Sequence, residues 1–269
     1  MSGLKSSASN FATVILIATL AVIALVGPAR AASDDGCPTP SDEIVTDRPN
    51  TTNSSIVVPY GSFQVESGVT YNARKGSDVI DGSETRLRLG VAHCTELTLD
   101  VPDYFYAPDG AAASGFSDVK LGVKRQLPQL PGDFTLSAIG GLSFPTGANK
   151  VAGPGYNPFI QFPWSRDIAS GWSVSGMFTV TWFTSQPPLN PTFEPTFAIG
   201  REFGPKSDAV VEYVGDYNHQ WPSQVLDTGA VYRVTEHQQV DFQAGFGLNS
   251  ASLHHFFGVG YSFRIDGLY

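Results

Sequence analysis

Fourteen charged side chains recur inside segments that otherwise alternate apolar and polar residues. The acids are Glu66, Asp100, Asp118, Glu194, Glu202, Glu212, Asp227 and Asp241. The bases are Arg86, Arg88, Lys120, Lys124, Arg233 and Arg264. On a shared interior face such groups have two uses. They pair into a network that fills and stiffens the interior, or they line a path and orient polar solutes. Both uses stay open at this level. Chemistry of other kinds has little support. There is no G-x-S-x-G, H-E-x-x-H, G-x-G-x-x-G or P-loop pattern. No catalytic residue, metal ligand or cofactor is expected. His254 and His255 are adjacent in a strand-like segment, where neighbouring side chains point to opposite faces, so they make a poor chelate. The acidic, glycine-bearing run Asp78–Glu84 reads as a solvated loop before it reads as a calcium site.

The elements that position these charges alternate with period two. In Trp172–Trp182 the even positions are Trp, Val, Gly, Phe, Val and Trp, and the odd positions are mostly Ser and Thr. One strand face is therefore apolar with an aromatic ring at each end. Such a strand, tilted by about 40–45°, rises roughly 25 Å, the height of the apolar band on an outer-membrane barrel. Trp172 and Trp182, with Tyr261 and Phe263 on the last strand, are the expected membrane girdle. Twelve such segments are expected, near 61–74, 84–93, 95–106, 115–126, 133–145, 157–165, 171–184, 191–203, 208–218, 224–235, 239–249 and 254–265. Short connections follow the even-numbered segments. Longer connections rich in Gly, Pro and Asn follow the odd-numbered ones, such as 75–83, 107–114 and 146–156. That asymmetry places both termini on the short-turn, periplasmic side. The fold expected is an all-β, 12-stranded antiparallel up-and-down transmembrane barrel. A soluble β-sandwich also alternates, but segments of 9–14 residues exceed its usual strand length. The apolar face then meets lipid and the charges face inward, because a charge on the lipid face costs about 2–4 kcal/mol near the midplane. Arg201 falls on the apolar parity and belongs near a rim.

Residues 1–31 read as a cleaved signal peptide. Lys5 precedes the unbroken apolar run Phe11–Gly27, and Ala29-Arg30-Ala31 supplies the cleavage site. Removal takes Lys5 and Arg30 with it and moves the formal charge from −9 to −11. So acidic a chain offers no basic face for nucleic acid. Residues 32–59 form an N-terminal periplasmic lead and residues 60–269 the barrel. Export makes a disulfide admissible. Cys37 in the lead and Cys94 in the turn after the second segment fall on the same side, which predicts a Cys37–Cys94 bridge pinning the lead to the rim.

Several runs resemble a known family. They are Thr46-Asp-Arg-Pro-Asn50, Val58-Pro-Tyr-Gly-Ser-Phe-Gln-Val-Glu66, Gly115-Phe-Ser-Asp118-Val-Lys-Leu-Gly122-Val-Lys124, Leu142-Ser-Phe-Pro-Thr-Gly147, Asp227-Thr-Gly229-Ala-Val-Tyr-Arg233 and Phe256-Phe-Gly-Val-Gly-Tyr-Ser-Phe-Arg264. In order and spacing, over about 46–264, they resemble the outer-membrane barrels labelled "MetA-pathway of phenol degradation", often called transporters. The resemblance implies an outer-membrane barrel of transporter type and brings no substrate with it; the phenol label reflects association with aromatic catabolism. The function expected is passive passage or uptake of small solutes, with aromatic ones as one option, across the outer membrane of a Gram-negative bacterium. Its partners would be outer-membrane lipid, the barrel-assembly machinery and the solute. Two other readings are a non-conducting structural or surface-binding barrel, with the lead tucked into a plugged lumen, and a barrel-embedded hydrolase built on a Ser–His pair. The terminal aromatic signal for assembly falls on Phe263 or Tyr269.

Overall fold

The computed structural model describes residues 43–185, 190–218 and 222–268. Fourteen strand segments run in chain order. The first seven are β1 (Phe63–Arg74), β2 (Ser77–Ala92), β3 (Thr95–Asp100), β4 (Tyr104–Tyr106), β5 (Gly115–Phe116), β6 (Val119–Gln126) and β7 (Thr135–Phe144). The rest are β8 (Asn157–Ala169), β9 (Trp172–Phe183), β10 (Asn190–Glu202), β11 (Ser207–Asp216), β12 (Ser223–Thr235), β13 (Gln238–Gly247) and β14 (His255–Ile265). The segments β3 and β4 are two lengths of one wall strand, both paired to β2. Likewise β5 and β6 continue one another, facing β4 and β3. The wall therefore has twelve antiparallel staves. It closes where β1 pairs with β14 from Phe63↔Ile265 to Ala73↔His255, while its other edge pairs with β2. Closure joins the first and last staves edge to edge, as hydrocarbon requires.

Two connections differ from expectation. The segment 75–83 is not a long loop. The chain turns at Lys75-Gly76, with Gly76 at φ 86°, and β2 already starts at Ser77. Its first residues pair with β1 on one side, Arg74↔Ser77 to Gly68↔Ser83, and with β4 on the other, Ile80↔Tyr106. Backbone pairing on both sides overrides the polar, glycine-bearing composition of Asp78–Glu84. Likewise β8 runs on to Ala169 and turns at Ser170-Gly171.

The distribution of apolar and polar groups is inverted relative to a soluble domain. Trp172, Phe178, Phe242 and Tyr261 point outward and are 44%, 47%, 46% and 43% exposed. Glu66, Arg88, Glu96, Lys124 and Glu212 point inward and are fully buried. In the buried set, polar side chains far outnumber apolar ones. A sandwich would bury Phe178 and Phe242 between its sheets. Here the apolar face is the outside of a closed cylinder, so only lipid can cover it.

Candidate functional site

The lumen contains a segment of the chain itself. The chain enters at the rim, where the Ile44 N–H donates to the Glu236 carbonyl, and leaves it at Pro59, whose carbonyl accepts from the Ser62 N–H at the start of β1. Between them, residues 44–58 cross the interior. Their peptide groups have no ladder to join, so wall side chains satisfy them. Glu66 Oε2 on β1 accepts from the Asp47 and Arg48 N–H groups at 2.9 and 3.0 Å. Glu212 on β11 accepts from the Thr51 and Thr52 N–H groups, both at 2.8 Å. The Val58 N–H donates to Glu96 on β3. Side chains continue the attachment. Thr52 bonds Thr196 on β10, Asn53 donates to Gln161 on β8, and Ser55 bonds Thr135 and Ser165 on β7 and β8. The segment thus touches wall strands around most of the circumference.

Arg88 on β2 is the centre of this attachment. Its guanidinium makes five hydrogen bonds, matching its five donors. Two go to Glu96, at 2.9 and 3.0 Å, and one to Glu66 Oε1 at 2.9 Å. The other two go to the Val45 and Ile56 carbonyls, at 3.1 and 3.0 Å, one on each arm of the inserted segment. Asp47 completes the cluster. Its carboxylate lies 3.0 Å from Arg86, 3.3 Å from Lys124 and 3.4 Å from Arg88, and accepts the Ser54 N–H. Burial pushes the Asp47 carboxyl up, but the Arg88, Lys124 and Arg86 charges outweigh that and hold it well below the usual carboxylate range. Arg48, on the same segment, pairs with Glu84 at 2.6 Å and with Asp241 at 3.3 Å.

Cavities lie on both sides of the segment. On the long-loop side a space of about 410 Å³ is lined by Arg86, Asp100, Asp118, Lys120, Glu194 and Asp216 among others. There Arg86 grips Asp100 through two bonds of 2.6 and 3.0 Å. Asp118 accepts the Gly147 N–H at 2.9 Å and so holds the loop after β7 at the mouth. Toward the termini a second space of about 260 Å³ lies between Ile44–Asn50 and β9–β13.

The fourteen expected lumen charges therefore separate by height. Glu66, Arg88, Lys124, Glu212 and Asp241 hold the inserted segment. Asp100, Asp118, Lys120 and Glu194 line the long-loop mouth, and Arg86 bridges the two sets, bonded to Asp100 and to Asp47 and Asn53 of the segment. Buried Asp227 is the cross-strand neighbour of Glu212. Glu202, Arg233 and Arg264 sit at the opposite rim. There Arg233 pairs with Asp208 and Glu43, and Arg264 with Asp266. Arg201 lies at that rim over the Trp172 ring, 5.0 Å from its centre. Trp172 and Tyr261 are exposed on the outer face, with Trp182 and Phe263 partly so. His255 packs against Tyr71 and Phe257. Cys94 occupies the β2–β3 turn, at φ 56°. Cys37, the signal segment 1–31, lead residues 32–42 and Tyr269 lie outside the described residues.

Sequence reasoning misses Asp47, Arg48 and Glu96. A signal exists for each. Residues 44–59 are almost all hydroxyl, amide, Pro and Val, with Asp47-Arg48 as the lone acid–base pair. Glu96 alternates with Leu97 and Leu99, so it must face inward once Leu97 faces lipid.

An apolar cylinder around a charged, closed lumen defines an integral β-barrel of the outer membrane. More particularly, the chain belongs to the family described as "Putative MetA-pathway of phenol degradation", whose model matches residues 46–265. No curated protein matches it. Among solved structures it is similar to the COG4313 outer membrane channel from Pseudomonas putida F1. The two share 13% identity and a TM-score of 0.62, over 81% of this chain and 99% of that one. It is also similar to the NanC porin, at 10% identity and TM-score 0.54 over 74% of this chain and 100% of that one. The KdgM porin matches at 8% and 0.54, over 74% and 98%. At these identities the likeness is one of fold.

Proposed function

We propose that this barrel passes small solutes across the outer membrane by passive diffusion, without cofactor or catalysis. The observation that carries the reading is a pair of polar cavities, one open at the long-loop mouth and one toward the termini, inside a wall whose outer face only lipid can cover. The solved relatives in fold are named as a channel and as porins, which supports the same reading. Residues 1–31 act as a cleaved export signal, the short-turn rim faces the periplasm, and the barrel-assembly machinery inserts the chain; of the lead expected in the periplasm, residues 44–58 lie in the lumen instead, because wall carboxylates and Arg88 satisfy their peptide groups there. A Cys37–Cys94 bridge ties the lead to the β2–β3 turn. Intact mass before and after reduction and alkylation tests that bridge; two cysteines that alkylate without reductant would remove it.

The test of passage is conductance in planar bilayers together with solute uptake by liposomes. Discrete openings and size-dependent uptake are expected. A folded protein that neither conducts nor admits any solute would replace this reading with the second one, a non-conducting barrel, which the segment lying across the lumen favours.

A further inference from the structure

We infer that the solute path does not require the inserted segment to leave. It runs beside that segment, through a gap between Arg48 and Asn50, and this gap admits small hydrogen-bonding solutes. The inference deepens the passage reading and rests on it.

Three observations support it. First, the segment is held by both arms. Arg88 binds the Val45 and Ile56 carbonyls, Glu66 and Glu212 each bind two consecutive N–H groups, and Glu96 binds the Val58 N–H. Ejection would strip partners from five fully buried charges, Glu66, Arg88, Glu96, Lys124 and Glu212. Second, a space of about 300 Å³ on the mouth side and the 260 Å³ space toward the termini are separated by a thin layer. Arg48 and Asn50 line both. Third, polar atoms in that layer are buried without a hydrogen-bond partner: Arg48 Nε, Asn50 Oδ1 and Asp241 Oδ2. Unpartnered donor and acceptor atoms buried in that layer gain partners when the side chains there shift for a hydrogen-bonding solute, and gain none from a solute that cannot bond.

The wall makes room for Arg48 specifically. Its guanidinium lies against the cross-strand pair Gly68↔Gly260. A Cβ at Gly68 would sit 2.3 Å from Arg48 Cζ, and one at Gly260 would sit 2.5 Å from Arg48 Nε and from Asp241 Oδ2. Glycine at both positions lets the side chain fold flat on the wall between Glu84 and Asp241, leaving Asn50 as the other lip of the gap.

The experiment locks the segment and then widens the gap. Thr52 and Thr196 bond side chain to side chain at the far wall, so the full-length chain with Thr52→Cys and Thr196→Cys can be tied there by a disulfide and released by reductant. Conductance and liposome uptake of erythritol are measured oxidised and reduced. The expected result is equal conductance in both states, with erythritol admitted faster than by protein-free liposomes. Adding Arg48→Ser to the locked form raises conductance and erythritol uptake several-fold. Asn50→Ala, which keeps the Arg48 ion pairs, does the same to a smaller degree. Heat-modifiable gel migration confirms that each barrel is folded. A locked form that falls silent until reduced would overturn the inference, since passage would then need ejection. Unchanged conductance in both gap variants would place the path elsewhere and overturn it too. Silence of wild type and every variant, oxidised or reduced, would instead overturn the passage reading, and this one with it.

Discussion

Replacing Arg88 by methionine should free the inserted segment while leaving the barrel standing. The side chain is fully buried and its five bonds divide between two wall carboxylates and two backbone carbonyls of the segment. Methionine fills most of the volume but leaves Glu66 and Glu96 without their main cation; Lys124 stays at 3.7 Å from Glu96. Removing one partner from a buried ion pair costs about 3–5 kcal/mol. Most of that cost falls on the attachment, because the wall strands keep their full ladders. The opening equilibrium of residues 44–58 should therefore rise by about 10²- to 10³-fold, at roughly 1.4 kcal/mol per decade. Hydrogen exchange in nanodiscs reads this directly. The Asp47, Arg48, Thr51, Thr52 and Val58 amides, each held by a wall carboxylate, should exchange faster by that factor, while β12–β13 amides stay as in wild type. Segment amides that exchange within about threefold of wild type, in a barrel that is heat-modifiable, would refute the assignment of Arg88 as the clamp.

Three further outcomes follow from the same geometry. Asp47 has a carboxyl held below the ordinary range, so it favours the attached state above the unfolded carboxylate pKa of about 3.9 and loses that contribution only as pH falls through its own lower value. Exchange protection of the Ser54 amide, which donates to Asp47, should thus be flat, once corrected for intrinsic rates, from neutral pH down to about 4 and fall only in stronger acid; loss of its protection near pH 6 would contradict it. Gly260→Ala should displace Arg48, since its Cβ would meet Arg48 Nε and Asp241 Oδ2 at 2.5 Å, and should raise conductance in the same direction as Arg48→Ser; lower or equal conductance counts against the seat. Phe178→Arg, at the centre of the lipid-facing side of β9, should cost about 2–4 kcal/mol in a denaturant titration in lipid bilayers. A change within about 0.5 kcal/mol would argue that Phe178 does not face hydrocarbon.

The wall was legible because lipid outside and polar groups inside impose period two on every stave. Trp172–Trp182 alternates from end to end, and β9 spans Trp172–Phe183. His255–Ile265 likewise matches the last expected segment. Legibility ends where the lipid does. The start of β2 at Ser77 and the end of β8 at Ala169 belong to the ends of the staves, where no hydrocarbon sorts the two faces and composition resembles a loop. Backbone pairing to β1 and β4, or to β9, makes them strand all the same. The inserted segment had no periodicity to read. Its N–H and C=O groups are satisfied one at a time by Glu66, Glu212, Glu96 and Arg88, a relation that leaves no repeating trace in residues 44–58. What sequence did indicate was the parity of those four wall residues; three were expected as lumen charges, and Glu96 obeys the same rule.

Of the two uses of the inward charges, the stiffening network is the one built at the middle of the barrel. Near the middle, Arg86, Arg88 and Lys124 bring three positive charges together, and the wall answers with Glu66, Glu96 and Asp100. Lys124 would then depend on Glu96 at 3.7 Å, a carboxylate already bound twice by Arg88. Asp47 supplies the nearer partner, at 3.3 Å, and touches all three cations. The inserted segment is thus part of the charge balance of the barrel, not an occupant that can depart without cost. A buried ammonium that lost Asp47 would be left with the more distant Glu96 alone, at 3.7 Å. It follows that Asp47→Asn should loosen Lys124 and the segment together, and that a second change, Lys124→Met, should restore part of the lost protection by removing the stranded charge. Exchange rates of the Arg48 and Thr52 amides in the single and double variants measure that coupling. Strict additivity of the two changes would mean that Asp47 and Lys124 do not support one another, and the account of why the segment stays inside would have to rest on Arg88 alone.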